Sequence, residues 1–264
     1  SYAKLEEAVK KLDAKKAELG LEAVFAVAGK ETWVTGLHFT NAALSPEFEN
    51  VFNAFNAKKI DFKYSEGMKK LFDLQINYAK KPVNSVDYST QVEKLFSLGK
   101  VAFMQQGNWT LGAIKGIDEE LAANIGFLPM PIVGAKEDSI PVGIPMYWTV
   151  NSTKDEKTQA AAKAFLNWMY TSEKGKDAII NKFGFIPPFK GFDSPDLQPK
   201  DALAKDIMKY ASAGKTIQWV FMGYPSGWGM EKIGVDLQKY VDGKLTWDQL
   251  IENGKKSWEE ARKQ

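Results

Sequence analysis

Three tryptophans, Trp33, Trp109 and Trp228, each follow glycine or small polar residues instead of sitting at helical spacing on an apolar face. Trp109 ends the run Gly99 to Trp109, in which Val101, Phe103 and Gln105 alternate with Ala102, Met104 and Gln106 before Gly107 and Asn108. That run reads as a strand driven into a glycine break, with Asn108 placed to cap the helical pattern Trp109 to Ile117. An indole offers a large, rigid apolar face with one N–H donor, suited to the C–H face of a sugar ring. Gln106, Asn108 and the Glu31 carboxylate then have the chemistry to answer sugar hydroxyls. Tyr147-Trp148 is a fourth candidate, and strand alternation sends its two rings to opposite faces, so at most one reaches a given cleft. The competing reading makes Trp109 a core residue at a strand-to-helix corner, because tryptophan is highly buried on average. Trp168, spaced with Phe165 and Met169, and Trp258, one heptad after Ile251, follow helix periodicity and are expected in the core. The pattern leaves Trp219 and Trp247 open.

The composition removes most other chemistries. The 264 residues include 44% hydrophobic and 26% charged residues, an ordinary globular balance. A net charge of +2, with basic and acidic residues interspersed, provides no field for nucleic acid. Without cysteine there is no disulfide or thiolate catalysis, and the single histidine, His38, argues against a histidine-rich metal site or a Ser-His-Asp triad. No cofactor or metal is expected. A glycosidase would need two carboxylates flanking the aromatic subsite, and Glu31 and Glu231 are the only acids within the aromatic loops. No run approaches a membrane span, and the start of the chain does not read as a leader.

These residues need elements to position them. A helix is expected over roughly 2–19 with Gly20 as its C′ residue, and a strand over Leu21 to Val27. Helices are read over Trp33 to Asn41, within 45–81 (Met68, Leu71, Phe72, Gln75 and Ile76 marking one face) and over Tyr88 to Leu98. Asn124 to Pro131 reads as a strand stopped by prolines, and Gly134 to Ser139 as a loop. A new unit then begins, with strand Val142 to Asn151, helices Asp155 to Tyr170 and Ser172 to Lys182, and a stop at Pro187-Pro188. Helices Asp201 to Ala213 and Glu231 to Val241 follow, the second preceded by the aromatic, glycine-rich stretch Trp219 to Met230. Thr246-Trp247-Asp248-Gln249 has the form of a capping box opening the last helix.

The blocks GKVAFMQQGNWTLGAI, NIGFLPMPI, PVGIPMYWTVN and AAKAFLNWMYTSEKGKDAIINKFGFIPP, in that order, resemble the family 1 extracellular solute-binding proteins of carbohydrate ABC transporters. The resemblance covers essentially the whole chain and corresponds to about the last two-thirds of such a protein. It implies an α/β, class II periplasmic-binding-protein-like, bilobal fold with the N-terminal part of the first lobe absent. Residues 1–133 would form most of the second lobe, 134–184 a segment of the first, and 185–264 a C-terminal helical part packing on the second. It further implies a carbohydrate ligand, delivery to membrane permease subunits, an extracellular or periplasmic location, and membrane association only through a lipid anchor outside this chain. By motif position Trp109 resembles the family's stacking tryptophan and Trp228 its C-terminal aromatic platform. Trp33 falls in an early ligand loop, and Tyr147 and Trp148 on the strand re-entering the first lobe. Crossovers near Gly134 to Ser139 and Gly184 to Pro188 would be the hinges. Val142 to Val150 has its family neighbours in the absent N-terminal part, so either extra polypeptide is expected to complete that lobe, or Val142 to Tyr170 is expected to pair with a neighbouring molecule or pack on its own second lobe.

Overall fold

The computed structural model describes residues 1–144, 147–187, 189–192, 194–198 and 200–263. Four short strands form two parallel pairs. Phe25–Ala26 (β1) pairs with Phe103–Met104 (β2) in the register Phe25 to Phe103, and Ile140–Val142 (β3) pairs with Thr216–Gln218 (β4) in the register Ile140 to Thr216. Parallel strands need crossover connections, and helices fill those between β1 and β2.

Most helices form where the sequence places them, and their caps show why. The first runs Tyr2–Ala14, and Gly20 takes the left-handed φ of +68° that ends the following turns. Asp155, Ser172 and Asp201 each accept a backbone N–H three residues on, starting Glu156–Thr171, Glu173–Asp177 and Ala202–Ser212. Thr246 and Gln249 complete a reciprocal capping box for Trp247–Ala261. The strands are shorter than the apolar runs suggest. Leu21 to Val27 contributes only two strand residues, and Asn124 to Pro131 contributes none. In the latter, a prolyl nitrogen at 129 and 131 has no N–H for a ladder, and the N–H of Phe127 donates to Asp206 at 2.8 Å instead.

The largest core joins Phe39, Leu44, Met68, Leu71 and Phe72 to Trp228, Ile233, Leu237, Leu250 and Trp258, so the first and last stretches of the chain share one interior. It depends on close helix crossing. The helical segment Val34–Phe39, wound with the wide turn of a π-helix, lies against a second π-helical segment, Trp228–Ile233. A Cβ on Gly36 would overlap the Gly229 carbonyl oxygen and sit 2.9 Å from Gly234 Cα. A separate small core of Met169, Ile179, Ile180 and Phe192 lies within residues 166–197, reaching beyond position 184.

The strand expected at Val142 to Asn151 is not formed as such. Pro145 and Met146 lie outside the described residues, and residues 147–150 carry no strand pairing. The observed strand is Ile140–Val142, paired with β4 of the same chain, and β4 is in turn held to the large core by Asn41, whose side chain donates to the Gln218 carbonyl at 3.0 Å. Pro188, in the expected stop at Pro187-Pro188, also lies outside the described residues.

Candidate functional site

The carboxyl ends of β1, β2 and β4 each release an aromatic segment. After β1 come Glu31 and Trp33, after β2 come Gln106 and Trp109, and directly after β4 come Trp219 and Phe221. Side chains leaving the carboxyl ends of parallel strands are placed where ligands of open α/β folds bind, although β1 and β2 lie in one pair and β4 in the other. Here their rings do meet. Trp33 and Trp109 have ring centroids 6.2 Å apart, Trp109 and Trp219 6.3 Å, and Trp219 and Phe221 5.3 Å. Tyr88 joins at 6.2 Å from Trp33. His38 lies among them, 5.6 Å from Trp33, 5.4 Å from Trp109, 5.2 Å from Trp219 and 4.7 Å from Phe221. Trp109 remains 41% exposed, so the cluster is open to solvent rather than sealed.

Polar side chains fix these rings. Glu31 accepts the indole N–H of Trp33 at 3.2 Å through one oxygen and the backbone N–H of Tyr88 at 3.3 Å through the other. The indole of Trp109 donates to Gln106 Oε1 at 3.1 Å, Gln106 Nε2 donates to Gln91 Oε1 at 2.7 Å, and the buried Gln91 donates to the Ala26 carbonyl at 2.7 Å. The last link ties the Trp109 ring to β1. Two glycines give the rings room. A Cβ on Gly107 would overlap the six-membered ring of Trp109, and one on Gly143 would lie 2.5 Å from Trp219 Cδ2. Gly107 itself is extended, with φ −109° and ψ −179°, so the residue is required by the indole folded over it and not by a sharp turn.

Of the residues expected from sequence, Trp33, Trp109, Gln106 and Glu31 come together. Asn108 lies beside Trp109 but caps nothing: the short 3-10 turn Asn108–Thr110 starts from Gly107, whose carbonyl receives the Thr110 hydroxyl at 2.9 Å. Trp228 is not part of the cluster. It is 1% exposed, packs edge-on to Trp258 at 4.9 Å and donates its N–H to Gly254 O and Ser257 Oγ. Neither face of that indole is open to a ligand: Gly227 makes the turn that leads into the buried segment, and Gly229 serves the close helix crossing. Tyr147 and Trp148 are 71% and 59% exposed, and Trp148 donates to the Tyr170 hydroxyl at 2.7 Å instead of reaching the cluster. Trp168, expected in the core, is 46% exposed and stacked on Phe165, while Trp258 is fully buried as expected.

His38, Trp219, Tyr88 and Phe221 are the members that sequence reading missed. His38 is five residues after Trp33, and an α-helix would rotate the two about 140° apart. The wider turn of Val34–Phe39 brings the rings to one side, so a search at 3.6-residue spacing overlooks the pair. Trp219 carried a usable signal, since it directly follows the short alternating run Thr216 to Gln218.

Burial among the rings pushes the His38 imidazole down to about 4. An unfolded histidine titrates near 6.5, so below that pH the unfolded chain takes up a proton that the folded chain refuses. Stability should therefore fall as pH drops from about 6.5 toward about 4, by up to about 3 kcal/mol. Because His38 is the sole histidine, urea unfolding of the chain and of His38→Gln across this range isolates the effect: the two stability curves should converge as pH falls. Parallel curves would contradict it.

Among the described residues no cluster of acidic or histidine side chains could hold a metal ion, and no helix is long and apolar enough to cross a membrane. Residues 1–226 match the family model described as bacterial extracellular solute-binding protein. No curated protein sequence matches the chain. Its structure is similar to that of a chitin oligosaccharide binding protein, with TM-score 0.70 and 20% identity over 97% of this chain and 64% of that one. It is also similar to the apo form of RafE from Streptococcus pneumoniae (TM-score 0.71, 17% identity, 99% of this chain and 65% of that one). A third is the putative binding protein MsmE of Bacillus subtilis in an open conformation, at TM-score 0.69 and 17% identity over 98% and 64%. The fold is thus the bilobal α/β fold of solute-binding proteins, and the chain spans about two-thirds of the length of these structures.

Proposed function

The chain belongs to the bacterial extracellular solute-binding protein family, and from that premise we propose that it binds a sugar or oligosaccharide on the ring cluster and serves a carbohydrate ABC importer. The observation that carries this reading is the convergence of Trp33, Trp109 and Trp219 at the strand ends, backed by the amide relay from Gln106 through Gln91 to β1. Rigid apolar faces next to amide and carboxylate acceptors match a pyranose, which is apolar on its faces and polar at its rim. The similar structures named for carbohydrate ligands, the chitin oligosaccharide binding protein and a Streptococcus pneumoniae solute-binding protein in complex with the blood group A-trisaccharide (TM-score 0.61, 15% identity), support the same class. A binding role fits better than catalysis, because Glu31 is engaged with Trp33 and Tyr88 and, among the described residues, no second carboxylate is hydrogen-bonded to a ring of the cluster.

In this reading residues 1–133 belong to one lobe, the segment from 134 belongs to the other and is carried past 184 to about residue 197 by the core of Met169, Ile179 and Phe192, and the rest of the chain packs back on the first of these. The sugar lies against the aromatic wall of the larger lobe, with the permease subunits as downstream partners.

Titration calorimetry with chitotriose, maltotriose and the blood group A trisaccharide tests the reading. One of these should bind without being consumed, and Trp109→Ala should weaken it by at least about 1 kcal/mol with little loss of stability, as expected for an aromatic anchor that is half exposed in the free protein. Equal binding by the variant would remove Trp109 from the site, and hydrolysis products on chromatography would replace the receptor by an enzyme.

A further inference from the structure

His38 makes more ring contacts than any other member of the cluster, with Trp33, Trp109, Trp219 and Phe221 all within 5.6 Å. Several polar groups there are already engaged with one another: the Trp33 indole with Glu31, the Trp109 indole with Gln106, and Gln106 with Gln91. Neither imidazole nitrogen has a hydrogen-bond partner among the described residues, and the residue keeps some solvent exposure; unlike the Tyr88 hydroxyl at the edge beyond Trp33 and the donor-only Trp219 indole, it offers both a donor and an acceptor at the centre of the rings. Resting on the carbohydrate reading, we propose that His38 is a ligand-contacting residue that exchanges a hydrogen bond with a hydroxyl of the sugar laid on the Trp33–Trp109–Trp219 surface.

The chemistry follows from the setting. A neutral imidazole offers one donor and one acceptor, as a hydroxyl does, and can answer it in either sense. A stacking surface alone is indifferent to hydroxyl position. A site that commits a partly buried polar group to one hydroxyl rejects a ligand lacking it, because that group is then left unpaired in a low-dielectric surround. His38 thus gives the platform selectivity among sugars of similar shape. Burial keeps the ring neutral well below neutral pH, so the contact is a neutral one and affinity should be flat between pH 8 and pH 6.

The test uses the full chain and whichever of chitotriose, maltotriose and blood group A trisaccharide it binds. Because the sequence has one histidine, nitrogen-15 spectra of the imidazole report on His38 without assignment, and saturating sugar should shift a ring nitrogen. His38→Phe, which keeps an aromatic ring, should bind at least tenfold more weakly, and His38→Gln, which keeps a donor and an acceptor, should recover most of that loss. Unmoved ring nitrogens in a chain that does bind sugar would overturn the proposal while leaving the carbohydrate reading intact. So would a His38→Phe variant that binds as the parent does. Failure of the parent chain to bind any of the three sugars would instead overturn the carbohydrate reading, and this proposal with it.

Discussion

Gly36→Ala should destabilise the protein by about 2 kcal/mol or more and weaken ligand binding together with it. Two effects oppose each other at this position. Alanine is favoured over glycine in a helix by about 1 kcal/mol, and Gly36 lies inside the helical segment Val34–Phe39. Against that, the added methyl would overlap the Gly229 carbonyl oxygen and approach Gly229 C to 2.8 Å and Gly234 Cα to 2.9 Å. All of these are backbone atoms, so no rotamer change relieves the clash and two helices must separate. Overpacking of a rigid core costs about 1–3 kcal/mol or more, which outweighs the gain in propensity. The same helix carries His38 and follows Trp33 directly, so its displacement would also scatter the ring cluster. Gly112→Ala supplies the control. Gly112 sits in Leu111–Ile117 with nothing within 4 Å of an added Cβ, and alanine there should be neutral or stabilising by up to about 1 kcal/mol. Equal effects of the two substitutions in urea unfolding would mean that the helix contact is not close-packed.

Trp228→Ala is expected to cost about 3–5 kcal/mol, the range for truncating a fully buried aromatic side chain. The indole lies between Phe62, Tyr224 and Trp258, at ring distances of 6.2, 5.0 and 4.9 Å. Its loss would also remove two hydrogen bonds, to Gly254 O and Ser257 Oγ, that pin the last helix. The cavity would be bounded by helices on several sides, which limits collapse. Trp168→Ala should behave differently despite its helical spacing, costing less than about 1.5 kcal/mol, because Trp168 is nearly half exposed and rests on an equally exposed Phe165. Thermal or urea unfolding of the two variants decides this. A Trp228→Ala variant as stable as the parent, but defective in binding sugar, would return Trp228 to the ligand site.

These two tryptophans show where reading the sequence reached its limit. Trp228 looked like a loop platform because Gly227 and Gly229 flank it. Gly227 does take a left-handed φ of +72°, but Gly229 is needed where Leu37 and Gly36 pack against it. Glycine is written identically for a turn and for a close helix crossing, and only the neighbour, almost two hundred residues away in the chain, tells them apart. Trp168 failed in the opposite direction. Periodicity identifies an apolar helix face but not whether any element covers it.

Local physics settled a good deal from sequence alone. The caps at Asp155, Ser172, Asp201 and Thr246 depend on side chains reaching backbone groups three residues on, so they were legible without knowledge of the fold. The ordered blocks around Trp109 identified the family, and the strand-to-tryptophan pattern after β1 and β2 placed Trp33 and Trp109 in one cluster with Glu31 and Gln106. Tertiary structure alone decided the rest of the site. His38 enters through a π-helical turn whose spacing no 3.6-residue pattern displays, and Trp219 enters at the end of β4, which Asn41 holds by the Gln218 carbonyl from 177 residues away in the chain. Hydrogen bonds within a turn are encoded by the residues that make them, whereas a meeting of rings from the strand ends of two separate sheets depends on how those sheets are held together, which is a property of the whole chain.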